Sequence, residues 1–543
     1  MTADVVDAGD GLPLTVPALL RARADGRGEH PFLIGDDGTL TFAAAERQSA
    51  ALARGLLSGG LGKGDHVALL FPNNAEFVVS WLAVARIGAV ALPMSTFSTA
   101  EELRVMLKNA DVSAILSAGS YRSHDYLRTL EEAIPGLDLQ ERPPIRSLEL
   151  PILSRVLFSG SHERIDPAWL AERAIEAGQA VATERLEAVE SIVRPADRLV
   201  VIHTSGSTSQ PKGVVHLHGR LIRHSNNLNE IRRFTAEEVY FSNSPFFWIG
   251  GFAYVLLATL VAGATMVCST AADPAAVLDL LERTKPTMVS GFAASVANLP
   301  KDPSFSGRDL SSIRRGNLYP ILPPAIQPAD PGLRHQMLGM SEAGSVCLLS
   351  EDESDQPESR RGSFGRPAPG FEAKTVDVES GRTCGVGETG ELWLRSPFMM
   401  DGYYGRDRSE TFETDGWFRT GDLFAVDSDG FYYFKGRSGE MIKTAGANVA
   451  PREVEAAILE LTGLVAHVVG VDDDFRGQVV GAVVRVPPDQ PEPDLDELRE
   501  NLRARLSVYK IPQRLVALPE REIPMMTSGK LDLRALKVML RDV

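Results

Sequence analysis

Thr204-Ser-Gly-Ser-Thr-Ser-Gln-Pro-Lys-Gly213 is the stretch on which the fold turns. Its small hydroxylated residues and glycines let backbone N–H groups and hydroxyls close around phosphate oxygens, and Lys212 adds a positive charge. The flanking runs, Leu199-Val-Val-Ile-His and Val214-Val-His-Leu, are strand-like, so the loop joins two strands. A Walker A loop instead joins a strand to a helix and reads Gly-Lys-Ser/Thr where this one reads Pro-Lys-Gly. Taken alone, the stretch fits an inert polar loop as well as a phosphate site.

Outward from the loop, apolar strand-like runs alternate with helical stretches through the first 430 residues. Val67-Ala-Leu-Leu-Phe precedes a helical pattern over 75–87, and Ser113-Ala-Ile-Leu-Ser and Met288-Val-Ser read as further strands. Such alternation predicts βαβ units and largely parallel sheets. Residues 137–193 are Arg/Glu-rich and loosely patterned, which predicts loops and a surface helix. After about residue 370 the texture changes to Gly-punctuated β segments, a smaller β subdomain. A last unit mixes short strands with helical patterns over 451–461 and 495–506.

With 543 residues the chain has room for two to four domains at about 150 residues each, and needs no disulfide or metal staple. The 56 Lys and Arg against 72 Asp and Glu leave a net charge of −16, which argues against nucleic acid and against an electrostatic membrane binder. Cys268, Cys347 and Cys384 are too few and too scattered for a disulfide framework, and the acidic N-terminus lacks a signal-peptide pattern; both fit the cytoplasm. Residues 249–270 carry no charge and are long enough to span a bilayer. Gly263 divides them, however, which predicts a buried helix, a tight turn and a buried strand rather than a membrane span.

Several blocks follow the loop in order. They are Gly339-Met-Ser-Glu342, Gly390-Glu-Leu-Trp, Asp415-Gly-Trp-Phe-Arg-Thr-Gly-Asp422 and Gly436-Arg-Ser-Gly-Glu-Met-Ile-Lys443. Gly446-Ala-Asn-Val-Ala-Pro-Arg-Glu-Val-Glu455, Tyr509-Lys-Ile-Pro and Pro524-Met-Met-Thr-Ser-Gly-Lys530 complete the set. In order and spacing they resemble the adenylate-forming superfamily of acyl- and aryl-CoA synthetases, peptide-synthetase adenylation domains and firefly luciferase. The resemblance covers nearly the whole chain. It implies an α/β fold: a large N-terminal domain (1–437) of two doubly wound sheets plus a small β-barrel-like subdomain, then a mobile α+β lid domain (438–543).

The resemblance also implies chemistry. A carboxylate attacks the α-phosphorus of ATP to give acyl-AMP and pyrophosphate, and a thiol then displaces AMP. Thr204, Ser205, Gly206, Ser207, Thr208 and Lys212 would hold the phosphates, and Leu338, Gly339, Met340 and Ser341 would line the nucleotide. Glu342 would hold Mg²⁺ through hard oxygen ligands. Asp422, assisted by Arg437, would accept the ribose hydroxyls. Lys530 would bridge carboxylate and phosphate oxygens in the first half-reaction; Lys443, with the CoA-binding Gly446 and Ala447, would act in the second, after rotation about a hinge at Gly439. His216 and His218 sit near a strand end with no third metal ligand close by.

Four positions depart from the family pattern. Ser209 stands where glycine is usual, and Leu338 replaces an aromatic residue that would face adenine. Asn317-Leu-Tyr-Pro-Ile-Leu-Pro-Pro occupies the place of a Gly-Gly-Ala segment, and Trp248 replaces a common histidine. Phe247, Trp248, Gly250, Phe252, Phe292 and Met340 are the candidate acyl-pocket lining, and no acidic residue accompanies Phe246-Phe247 to pair an amino-acid ammonium. These features predict an ATP-dependent carboxylate–CoA ligase for an apolar acid, fatty or alicyclic. Its rivals are an acyl-AMP ligase that loads a carrier protein and a catalytically weakened nucleotide- or acyl-binding protein. A carrier-protein partner and a homodimer stay open.

Overall fold

The computed structural model of the chain describes residues 11–160, 162–204, 211–437, 441–488, 490–524 and 531–543. Two parallel sheets form its bulk. In the first, Arg198–Thr204, Val90–Pro93, His66–Leu70, Val112–Ser117 and Arg155–Phe158 run parallel, and Lys212–Leu217 and Gly402–Tyr403 are added antiparallel at one edge. In the second, Arg315–Gly316, Met288–Ser290, Val239–Ser242, Thr265–Val267 and Pro31–Gly35 are parallel neighbours, closed by the antiparallel Gly38–Thr41. The central strands Val90–Pro93, His66–Leu70 and Val112–Ser117 are wholly buried, as parallel strands covered by helices on both faces require.

Residues 137–193 are more regular than their composition suggests. Arg155–Phe158 supplies an edge strand, and Ala171–Gly178 and Thr183–Ser191 are both helices. The run Arg155-Val-Leu-Phe lies in an Arg/Glu-rich stretch whose charge masks it; pairing with Val112–Ser117 makes it a strand.

The uncharged segment 249–270 folds as buried helix, turn and strand. Gly250–Leu257 is a π-helix that continues as Ala258–Ala262; Gly263 ends it at φ 74°, and Thr265–Val267 enters the second sheet. Among the described residues no helix is long and apolar enough to cross a membrane.

The β-rich part contains a four-stranded antiparallel sheet, Glu372–Val376, Thr389–Arg395, Phe418–Val426 and Tyr432–Arg437, beside a three-stranded one. The C-terminal unit has its own sheet, with Gly477–Val486 flanked by Ala466–Asp473 and Arg514–Pro519. Alternate residues of Gly477–Val486 serve two cores. Val480, Ala482 and Val484 pack with the helices Pro451–Thr462 and Leu495–Arg503, whereas Val479 and Val483 pack with Leu533–Arg541. The two helical layers therefore lie on opposite faces of the sheet.

Candidate active site

The strands that flank the phosphate-type loop pair antiparallel, with Thr204 directly opposite Lys212. Ser205, Gly206, Ser207 and Thr208 lie outside the described residues, as do Gly439 and Lys530. On the other side of Lys212–Leu217, Tyr403 pairs with Val214. The Lys212 ammonium stands 5.1 Å from the centroid of the Tyr403 ring, and the Tyr403 hydroxyl donates to Glu342 Oε1 at 2.8 Å. One tyrosine thus ties the base of the loop to the candidate metal ligand.

Glu342 sits in the turn Ser341–Ala343, and this turn is pinned twice more. Met400 N–H donates to Glu342 O at 2.8 Å. His216 Nε2 donates to Ser341 O at 2.7 Å, and burial holds the imidazole neutral with its pKa down at about 4. His216 therefore orients the turn. His218 opens the helix His218–Ile231, where its Nδ1 accepts from Val16 N–H at 3.2 Å. A carboxylate offers about four lone-pair sites. The phenol takes one on Glu342, so the donor set suits a hard divalent cation such as Mg²⁺.

Asp422 is 4 % exposed on the strand Phe418–Val426, directly opposite Arg437 on the next strand. The predicted ribose-binding pair is thereby brought into one register. Leu338 behaves differently from its expected role. It is buried in the core, its carbonyl accepts from Cys347 Sγ at 3.4 Å, and it leaves Gly339, Met340 and Ser341 to form the cavity wall.

That cavity has a volume of about 360 Å³, and of the candidate acyl-pocket residues Phe247, Trp248, Gly250, Phe292 and Met340 line it. Phe252 is the exception. It is fully buried, with its ring centroid 5.2 Å from that of Trp81, and belongs to the core. The π-helical turn explains the division. A Cβ on Gly251 would fall 2.0 Å from Pro245 O, so only glycine lets the chain pack down there. The turn leaves Trp248 and Gly250 at the cavity and Phe252 in the core. Trp248 is half-buried and meets Phe247 and Phe292 edge-to-face, with centroids 5.2 and 5.6 Å away.

The C-terminal unit closes the mouth. Gly446 and Ala447, in the hairpin between Ile442–Thr444 and Ala447–Val449, line the cavity together with Tyr509. Gly446 has φ 87°, and a Cβ there would lie 1.8 Å from Phe292 Cε1. Lys443 is not in this wall; its ammonium stands 4.8 Å from the centroid of the Phe434 ring. A second cavity, of about 480 Å³, shares Phe247, Trp248 and Phe292 with the first and reaches Arg122, Arg476 and Phe475. Phe475 is 82 % exposed.

Sequence reasoning missed Tyr403, Arg122 and Arg476. Tyr403 carries no motif of its own. The only signal for Arg476 is the aromatic–basic pair Phe475-Arg476 in an otherwise acidic turn.

The profile of the family described as "AMP-binding enzyme" matches residues 20–404, and that of "AMP-binding enzyme C-terminal domain" matches residues 453–530. A feruloyl-CoA synthase of Amycolatopsis sp is 31% identical over 499 residues, 91% of this chain and 92% of that protein. The mitochondrial medium-chain acyl-CoA ligase ACSF2 of Rattus norvegicus is 28% identical over 510 residues, 91% of this chain and 82% of that protein. Among solved structures, a double mutant of the o-succinylbenzoate CoA synthetase MenE from Bacillus subtilis, bound to a product analogue, is similar with a TM-score of 0.74 at 25% identity. That likeness covers 97% of this chain and 98% of that one.

Proposed function

The chain belongs to the family of AMP-binding enzymes, and from that premise we propose that it is an ATP-dependent acid–thiol ligase for an apolar carboxylic acid, fatty or alicyclic, with CoA as acceptor. In the first half-reaction the carboxylate attacks the α-phosphorus of ATP, giving acyl-AMP and pyrophosphate. In the second the CoA sulfur attacks the acyl carbonyl, AMP leaves, and the thiol proton is released.

This chain's residues divide the work. Thr204, Lys212 and the loop between them bind the departing phosphates, where neutralising charge lowers the barrier. Glu342, oriented by Tyr403, holds Mg²⁺, which supplies charge neutralisation of the phosphates when bound. Asp422 and Arg437 orient the ribose, and Lys530 is the cation of the adenylation step. Phe247, Trp248 and Phe292 exclude water from the acyl group and position its carboxylate. Gly439 is the hinge between domains 1–437 and 438–543, and Lys443 acts in the second half-reaction.

The observation that carries the acceptor assignment is the second cavity. It leads from Trp248 and Phe292 at the acyl site to the guanidinium groups of Arg122 and Arg476. A CoA molecule, with a narrow thiol arm and a phosphorylated nucleotide, suits such a path; a carrier-protein arm has no nucleotide to bind there. The similar medium-chain ligase and feruloyl-CoA synthase are named for an aliphatic and an aromatic acid, so the acid panel spans both.

The test incubates the protein with ATP, Mg²⁺ and fatty, alicyclic and hydroxycinnamic acids, with CoA or a phosphopantetheinylated carrier protein. AMP and thioester are then quantified. AMP and acyl-CoA from the apolar acids support the reading. Thioester on the carrier protein alone makes it an acyl-AMP ligase, and AMP from none of the acids makes it a binding protein.

A further inference from the structure

A buried charge cluster joins the two parts of the chain at the wall of the first cavity, which Glu102, Ser507 and Lys510 line. Lys510 is 5 % exposed in the C-terminal unit. Its ammonium donates to Glu102 Oε1 of the N-terminal part at 2.7 Å and to Glu453 Oε1 of its own unit at 2.8 Å. Glu102 accepts two further bonds from the C-terminal unit, from Ser507 N–H at 3.1 Å and from Ser507 Oγ at 2.6 Å. The Thr99 hydroxyl donates to Arg505 O at 3.2 Å.

Local sequence prepares Glu102 for this. Thr99 and Glu102 form a capping box at the start of the helix Ala100–Asn109; Thr99 N–H donates to Glu102 Oε2 at 3.0 Å and Glu102 N–H donates to Thr99 Oγ1 at 3.3 Å. The carboxylate is therefore held in place by its own helix before the C-terminal unit arrives.

The cluster is also built to open. The end of the segment it grips, Val508–Lys510, packs beside Ala447–Val449, the strand that follows Gly446. Grip and hairpin thus move together. The helix Leu533–Arg541, which follows Lys530 in the chain, lies on the opposite face of the sheet. Turning that face to the site removes segment 505–510 from Glu102. Lys510 then still has Glu453, and Glu102 still has Thr99, so neither charge is stranded in the interior.

We propose that Glu102 is a positioning residue for thioester formation, a reversible latch on Ser507 and Lys510 that holds the Gly446 hairpin in the mouth of the acyl cavity and releases it for adenylation. This rests on the two-step reading above. In this role Glu102, at the cavity wall, sets how much of the protein has the hairpin in place.

Two variants of the full-length protein test it. Glu102→Gln keeps the shape and the capping oxygen but loses the charge, and Glu102→Lys makes the contact repulsive. Single-turnover measurements separate acyl-AMP formation from transfer to CoA in acyl-AMP-loaded enzyme. The latch predicts transfer slowed at least tenfold in Glu102→Gln and further in Glu102→Lys, with acyl-AMP formation slowed by a clearly smaller factor in each. Equal slowing of both steps, or no slowing of transfer, overturns it.

A second readout does not depend on activity. Spin labels at Arg128→Cys and Val538→Cys, in a Cys384→Ser background, report the distance between the two parts. The latch predicts a dominant distance in the parent that broadens or shifts in Glu102→Lys. Unchanged distances overturn the latch. Failure of the parent to adenylate any acid, with the shift intact, overturns the functional reading alone.

Discussion

Replacing Gly446 by alanine adds one methyl group at a point where the structure assigns it two separable costs. The first is backbone strain. At φ 87° a side chain costs about 1–2 kcal/mol, and that cost travels with the hairpin in every domain arrangement. It lowers stability without favouring one half-reaction. The second cost exists only while the hairpin sits in the cavity mouth. The new Cβ would lie 1.8, 2.2 and 2.7 Å from three Phe292 ring atoms, so the ring has to turn. Forcing it off its rotamer costs about 0.5–1.5 kcal/mol, and losing its edge-to-face contact with Trp248 costs about 0.5–1.5 kcal/mol more. The sum, about 1–3 kcal/mol, corresponds to a roughly 5- to 150-fold loss in the arrangement shown here. Gly446→Ala is therefore expected to slow thioester formation from supplied acyl-AMP and CoA by that factor while sparing pyrophosphate exchange. A variant that slows both steps equally, or whose defect Phe292→Ala does not relieve, would refute the reasoning.

Trp248→Ala opens the wall between the two cavities, and each extra CH₂ accommodated is worth ~0.8 kcal/mol, or about fourfold in kcat/KM. An acid series should shift toward longer or bulkier substrates with little change in Tm; a uniform fall with a large Tm drop would make Trp248 a structural residue. Tyr403→Phe removes the bond that orients Glu342 and should lower adenylation about tenfold while raising the Mg²⁺ needed for half-maximal rate; superimposable Mg²⁺ titrations would separate Tyr403 from the metal. Burial holds His216 and His218 at about 4 and His224 at about 3, so these groups are neutral when folded but take up protons near pH 6.5 when unfolded. Their contribution to stability is complete above pH 6.5 and is lost as pH falls from there toward 4. Thermal unfolding should show Tm dropping across that window, with His218→Asn lessening the slope by about one proton; an unchanged slope would contradict the assignment.

Most of the architecture was legible because its signals are local. Apolar runs of three to five residues between helical stretches read as buried parallel strands, and Gly263 divided a bilayer-length segment into helix, turn and strand. Partnership was not legible. Arg155–Phe158 is a strand only because Val112–Ser117 lies beside it, and no run of four residues states its neighbour. The site shows the same division. Glu342, Asp422 and the Gly446 hairpin were singled out through motifs, which record spacing along the chain. Phe252 and Leu338, singled out in the same way, pack in the core rather than at the cavity, because motif position does not say which face of a turn or strand meets it; a π-helical turn and a core contact decide that. Tyr403 and Glu102 bond residues far away in sequence, Glu342 and Lys510, and these pairings are visible only in three dimensions.

Acyl-adenylate formation has an isotopic signature that no binding protein can mimic. When an accepted acid labelled with ¹⁸O in both carboxylate oxygens is turned over with ATP, Mg²⁺ and CoA, attack on the α-phosphorus carries one labelled oxygen into the phosphate of AMP. Mass spectrometry of the nucleotide products reads this directly. The account predicts AMP bearing one ¹⁸O, in step with acyl-CoA formed. Unlabelled AMP, or label in inorganic phosphate beside ADP, would contradict it.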